Sequence, residues 1–194
     1  CKSIFGAIKG GFNQIQQSIM SKRLYFAYGS NMDRRQMAQR CPAASLISTG
    51  WSSNYGYKID GRGFATIVEQ EKSRVWGVVW QLTEACEMAL DRYEGVSKGI
   101  YGKEMITVEA QSTPQSCLVY ISAYRQALKT RPNLPNLGYQ ERIVAAAKEF
   151  DFPADYREEL SAWLPDPEKF PVENWAVELQ KQRATVGYYR SIAR

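Results

Sequence analysis

Three runs rich in β-branched and aromatic residues, Tyr55–Ile59, Phe64–Glu69 and Arg74–Leu82, follow one another with only Gly, Asp or charged turns between them. A parallel pair needs a crossover of a dozen or more residues, and none of these gaps can hold one, so the three strands are expected to be antiparallel neighbours. Two more strand-like runs, Tyr101–Glu109 and Gln115–Tyr124, lie further on, and a short apolar run, Leu24–Tyr28, precedes them all and stops at Gly29-Ser30-Asn31. Helical patterns fall at Asp33–Arg40, ended by Cys41-Pro42, at Glu84–Glu94, at Leu137–Phe150 and at Asp155–Trp163. Strands grouped around a few helices, without regular alternation, predict an α+β fold: a small mixed, mostly antiparallel, barrel-like sheet flanked by helices.

At 194 residues and 44% hydrophobic composition the chain can bury one sizeable core but is short for two. The predicted domain spans 20–164. Residues 1–19 end just before Met20 and read as an extension outside the domain, with Met20 as the natural start; a processed, lipid-bearing Cys1 is the competing reading, and it lacks a lipobox. From Pro165 the sequence PDPEKFP breaks regular structure before a last weak helix around Val172–Gln182, so 165–194 is expected to be a peripheral extension. No apolar run approaches the ~20 residues that span a bilayer, and the four cysteines form no CxxC pair. Both features suit a soluble, cytoplasmic protein without membrane partners. The net charge of +5 is spread along the chain with no basic block, which argues against a nucleic-acid partner and suits anionic small molecules.

The chain contains no histidine. Ser-His-Asp and Cys-His catalysis and His-ligated metal are thereby excluded, and proton transfer near neutral pH falls to a carboxylate, Tyr, Lys or Cys whose pKa its surroundings have moved. In Leu90-Asp91-Arg92-Tyr93-Glu94-Gly95, counting back by fours from Glu94 gives Leu90 and Cys86, so at 3.6 residues per turn Glu94 shares a face with apolar side chains and points inward. Burial would raise its pKa. The competing reading has Glu94 at a fraying helix end or paired with Lys98 or Lys103. Asp91, beside Arg92, reads as an exposed helix-surface charge, and Cys41, Cys86 and Cys117 as small core residues. Tyr28-Gly29-Ser30-Asn31 leads a strand through a turn into a helix; its backbone N–H groups could bind a carboxylate or oxyanion, or the turn could be an ordinary connection. Tyr101 and Tyr139 could close a pocket with their hydroxyls.

Taken together, LYFAYGSNM, GFATIVEQ, RVWGVVWQL and LDRYEGVSKGIYGKEMITVEA strongly resemble the γ-glutamyl cyclotransferase (AIG2-like) family in order and spacing, from Leu24 to about Trp163. The resemblance implies a small α+β, barrel-like fold whose cavity is bracketed by the YGSN turn and by a glutamate in an EGV context. It implies a small-molecule γ-glutamyl substrate, with Glu94 catalytic and Tyr28, Gly29, Ser30, Asn31, Tyr101 and Tyr139 binding substrate. Neither cofactor nor metal is implied, and a homodimer is allowed. The implied reaction is release of 5-oxoproline and a free amino acid by attack of the substrate's own α-amine, with Glu94 carrying the proton. Asn31 is unlike the glutathione-specific branch; a γ-glutamylamine cyclotransferase and a non-catalytic module that binds γ-glutamyl or acidic metabolites are the alternatives.

Overall fold

The computed structural model describes residues 23–125, 133–164 and 172–192. Five strands, β1 (Arg23–Ala27), β2 (Ser45–Ile59), β3 (Ala65–Leu82), β4 (Tyr101–Ala110) and β5 (Thr113–Ser122), close into a barrel in the order β1-β3-β2-β4-β5. Every pairing is antiparallel except that of β1 with β5, which is parallel at Tyr25 and Leu118. The mixed, mostly antiparallel barrel is the architecture expected from the grouped strands. Tyr25, Phe26 and Ala27 are all buried, so both faces of β1 are covered here, which accounts for its unbroken apolar run. Phe26, Ile67, Val78, Leu82 and Val119 form part of the closed core.

Five helices flank the barrel among the described residues: α1 (Arg34–Arg40), α2 (Glu84–Tyr93), α3 (Tyr139–Glu149), α4 (Ala154–Ser161) and α5 (Val172–Ile192). Asp33 caps α1 by accepting from Arg35 N at 2.7 Å and Gln36 N at 3.1 Å. Thr83 Oγ1 accepts from Cys86 N at 3.2 Å to start α2, and Gly95, with φ of +64°, ends it. Leu90 and Cys86 pack inward from α2 as its register predicts.

Four of the predicted elements differ markedly in extent. The strand expected at Tyr55–Ile59 is the second half of β2, which starts at Ser45; its first half, Ser-, Thr- and Gly-bearing, lacks the compositional signal of a strand. Phe64–Glu69 and Arg74–Leu82 belong to one strand, β3. They are separated only by a slip in which Ser53 pairs with Arg74 and Tyr55 with Glu69, with Asn54 and Lys72 in the left-handed region at φ of +61° and +62°. Residues 69–72 are exposed there, so the apolar alternation that marks the rest of β3 lapses. The final helix begins at Val172 as predicted and runs to Ile192. The segment 1–19 lies outside the described residues, as does 165–171, where the chain was expected to be irregular. Among the described residues, no helix is long and apolar enough to cross a membrane.

α5 is tied to the segment that leads into α3. Trp175 Nε1 donates to Pro135 O at 2.9 Å, and Gln182 exchanges two hydrogen bonds with the backbone of Leu134, at 2.7 and 3.1 Å. Arg183 donates to Asn136 Oδ1 at 2.6 Å, and Asn136 in turn donates from its backbone and its amide to Gly63 O, at 3.0 and 2.9 Å. A continuous set of hydrogen bonds thus joins the last helix to the turn before β3.

Candidate active site

At one end of the barrel the exit of β1, the end of α2, the turn before β3, the start of β4 and the start of α3 surround a cavity of about 370 Å³. Tyr28, Gly29, Ser30, Asn31, Glu94, Tyr101 and Tyr139 all line it. Residues far apart in sequence are brought together because each stands where a barrel element begins or ends.

Glu94 is the only carboxylate lining the cavity among the described residues. Its N–H still bonds to Leu90 O at 2.8 Å, so it completes α2, and the helix fixes its backbone with little freedom. The side chain is only 15% exposed. Asn31 Nδ2 donates to Glu94 Oε1 at 3.1 Å, and Arg40 Nη1 stands 3.7 Å from the same oxygen. Burial raises the Glu94 pKa above the ordinary carboxylate value; Arg40, the Asn31 hydrogen bond and Arg62 each pull it back down without cancelling the rise. The cation facing Glu94 is therefore Arg40, while Lys103 pairs with Glu87 and Asp91.

Asn31 holds this end of the cavity together. Its amide donates to Tyr25 Oη at 2.9 Å as well as to Glu94, and its carbonyl oxygen accepts from Gln36 Nε2 at 2.9 Å and Arg40 Nη1 at 2.8 Å. Its backbone carbonyl accepts from Trp80 Nε1 at 3.1 Å. Gln36 Nε2 also donates to Ser30 Oγ at 2.8 Å, and Arg142 donates to Gln36 Oε1 at 2.7 Å. The short helical turn Ser30–Met32 is thus pinned by α1, α3 and the barrel.

On the other side, Tyr139 Oη accepts from Ala65 N at 3.2 Å and Tyr101 Oη donates to Ala65 O at 3.0 Å, so two phenols from distant elements clasp one residue of β3. Gly29 is packed against this pair. A Cβ there would lie 3.2 Å from Ala65 Cβ and 3.4 Å from the Tyr139 hydroxyl, so a side chain would encroach on the floor of the cavity. Tyr28 donates to Tyr120 O at 2.5 Å, which commits its hydroxyl to the barrel wall.

Burial pushes the phenols of Tyr28 and Tyr101 well above their ordinary value and that of Tyr139 up to about 12. These tyrosines act as neutral hydrogen-bonding groups. Cys41 and Cys117 are buried and raised by desolvation to about 12 and about 11, in keeping with core thiols. Glu94 is the lining group whose shift carries it toward neutrality, which suits a group that takes up and returns a proton.

Several lining residues were not singled out in the sequence. Arg40 follows Gln36 by one turn of α1, so the two share a face, a spacing that could have marked them once Asn31 was suspected. Arg62 sits between two glycines, Gly61 and Gly63, and no periodicity points to it. Tyr25, Tyr120 and Arg142 read as ordinary members of a strand or helix. Asp91 corrects the expectation of an exposed surface charge: its carboxylate accepts from Tyr120 Oη at 2.6 Å and from Lys103 Nζ at 3.1 Å. Tyr93, the last residue of α2, is 60% exposed and lies under the Arg40 guanidinium at 4.8 Å.

Residues 74–160, which carry Glu94, Tyr101 and Tyr139, match the model of the AIG2-like family. The γ-glutamylcyclotransferase of Bos taurus is 30% identical over 172 residues, covering 82% of this chain and 88% of that protein. The Homo sapiens γ-glutamylcyclotransferase is likewise 30% identical, over 156 residues that cover 74% and 79% of the two chains. A solved γ-glutamyl cyclotransferase structure superposes with a TM-score of 0.67 at 26% identity, covering 83% of this chain and 99% of that one. Identity sustained over most of both chains, on a shared barrel, establishes that the chain belongs to the γ-glutamylcyclotransferase family.

Proposed function

We propose that the protein converts γ-glutamyl amino acids into 5-oxoproline and a free amino acid, with Glu94 as the proton carrier. The substrate supplies its own nucleophile, so the site need only fold it, remove a proton from its α-ammonium and stabilise the oxyanion. Glu94, ionised, takes that proton. The freed amine attacks the γ-carbonyl carbon, forming the ring C–N bond and a tetrahedral oxyanion beside the turn at Gly29, Ser30 and Asn31. Glu94 passes its proton to the leaving nitrogen as collapse of the oxyanion breaks that bond, and the second proton of the ring nitrogen passes to the released amine, which departs as its ammonium. Tyr101 and Tyr139, neutral and fixed on Ala65, bound the space in which the chain of the glutamyl group folds.

The observation that carries this reading is a single carboxyl with a raised pKa, held in a cavity by Asn31 at 3.1 Å in company with a glycine turn. A module that only binds γ-glutamyl or acidic metabolites needs no proton carrier, so a carboxyl whose pKa is raised toward neutrality favours the enzyme. Release of 5-oxoproline measured in parallel from γ-glutamyl-alanine, γ-glutamyl-ε-lysine and glutathione tests the proposal. The dipeptide is expected to be turned over fastest. Faster release from γ-glutamyl-ε-lysine would assign the chain to the γ-glutamylamine enzymes, and binding without release from any of them would make it a binding module.

A pH profile gives a second test. Glu94 must be ionised to accept the proton, so the acid limb of kcat/KM is expected above the ordinary carboxylate range. Arg40 favours the ionised form. Arg40→Gln is therefore expected to move the acid limb to higher pH, with the rate lost at neutral pH partly regained in more alkaline buffer. A limb that stays in place would show that Glu94 and Arg40 are not coupled during turnover.

A further inference from the structure

Three arginines line the cavity, and they are not equivalent. Arg40 is engaged on the Glu94 side, with Nη1 on Asn31 Oδ1 at 2.8 Å. Arg142 donates to Gln36 Oε1 at 2.7 Å and so belongs to the same network. Arg62 comes from the opposite wall, the turn before β3. Its Nε and Nη2 donate to Asp60 Oδ2 at 3.1 and 2.7 Å, and Nη2 reaches Ser122 Oγ at 3.3 Å. Among the described residues, Nη1 donates no hydrogen bond to the protein.

The support beneath Arg62 is unusually complete for an arginine on a turn. Asp60 is fully buried, and its second oxygen accepts the backbone N–H groups of Arg62 and Phe64 at 2.8 and 3.0 Å. Ser122 Oγ adds a further bond to Asp60 Oδ2 at 2.6 Å. The guanidinium lies 5.0 Å from the centre of the Tyr101 ring, 4.8 Å from that of Tyr124 and 5.5 Å from that of Phe64. A buried carboxylate and three rings set the plane of the group in advance, and the remaining nitrogen is left to a ligand.

A γ-glutamyl amino acid carries two carboxylates, one on each side of the amide that is broken. The first shares a carbon with the α-ammonium, so placing that ammonium at Glu94 puts this carboxylate with Arg40 and the Gly29–Asn31 turn. The second belongs to the leaving amino acid and lies across the amide. We propose that Arg62, held by Asp60, binds the carboxylate of the leaving amino acid and so restricts the enzyme to γ-glutamyl derivatives of α-amino acids. This rests on the cyclotransferase reading above and adds the residue that selects the leaving group.

The test compares γ-glutamyl-alanine with γ-glutamyl-alaninamide, which differ only in that carboxylate, using 5-oxoproline release by the full chain. The wild-type protein is expected to favour the acid by about 10- to 100-fold in kcat/KM, the range for a hydrogen-bonded charged group. At a pH above the acid limb, where loss of the Arg62 charge no longer changes how much of Glu94 is ionised, Arg62→Gln is expected to lower kcat/KM for the acid by a similar factor while changing the amide less than about 3-fold, which erases the preference. Because Arg62→Gln leaves Asp60 buried without its cation, the Asp60→Asn/Arg62→Gln double variant is measured beside it and is expected to show the same loss of preference. Equal use of acid and amide by the wild-type protein would overturn the assignment, and so would a parallel fall for both substrates in the variants. Failure of the wild-type protein to release 5-oxoproline from either substrate would instead overturn the cyclotransferase reading, and this assignment with it.

Discussion

Glu94→Gln is expected to lower 5-oxoproline release by about 1,000-fold or more, toward the upper end of what one positioned acid-base group contributes. The amide can still accept from Asn31 Nδ2 in place of the carboxylate oxygen, so substrate should bind with little change in affinity. Stability provides an internal control, and its sign is fixed. The folded state raises the Glu94 pKa, so between the unfolded and folded values the folded protein holds the extra proton, and stability falls as pH rises through that window. Above the window the ionised side chain is a net cost to folding. Glu94→Gln is therefore expected to melt at the same or a higher temperature than the wild-type protein at pH 8, by about 2–4 °C per kcal/mol relieved, with the difference shrinking as pH falls. Calorimetry at pH 5 and pH 8 together with the rate assay checks both halves. A variant that turns over normally removes Glu94 from the mechanism, and one that is inactive because it melts early assigns it a structural part.

Asn31→Leu is expected to have the next largest effect. The side chain is 4% exposed, and its two polar atoms serve four partners: Tyr25, Glu94, Gln36 and Arg40. Leucine has a similar shape and none of these bonds, so several buried polar groups lose a partner together. The expected cost is about 2–4 kcal/mol, and a network deleted at its centre loses more than one bond's worth. Glu94 would also lose a partner that fixes its carboxyl, and small displacements of a reacting group cost about 100-fold in rate. Two readouts separate these consequences. If Asn31 positions the carboxyl, kcat falls well below wild type at temperatures where the variant is fully folded, and the acid limb moves to higher pH because a bond to the ionised form is gone. A variant with a lowered melting temperature but unchanged kcat and pH profile would show that Asn31 serves only the fold.

What could be read from the sequence follows from how local each signal is. The register of α2 placed Glu94 on the face of Leu90 and Cys86 because helical periodicity is a property of neighbours, and Thr83 and Gly95 marked the ends. The turn at Gly29–Asn31 was equally local. The continuity of β3 through residues 70–73 was not legible, because there the strand has lost its apolar alternation and only its pairing with β2 identifies it. The arginines were hidden for a related reason. Their long side chains acquire a role from residues remote in sequence, as Arg62 does from Ser122 and Arg142 from Gln36, and no spacing rule reaches across such separations. Tyr101 and Tyr139 could be suspected from the resemblance, yet that both clasp Ala65 is a product of barrel closure.

The bonds that run from α5 through Asn136 to Gly63 make one wall of the cavity answerable to a part of the chain synthesised long after it. Arg183 and Asn136 are separated by 47 positions, which a ribosome needs roughly 2 to 10 s to translate. During that interval the barrel strands are already available to pair, while the turn bearing Arg62 lacks its outermost support. The newborn protein would therefore set the wall that bears Glu94 first and the full support beneath Arg62 last.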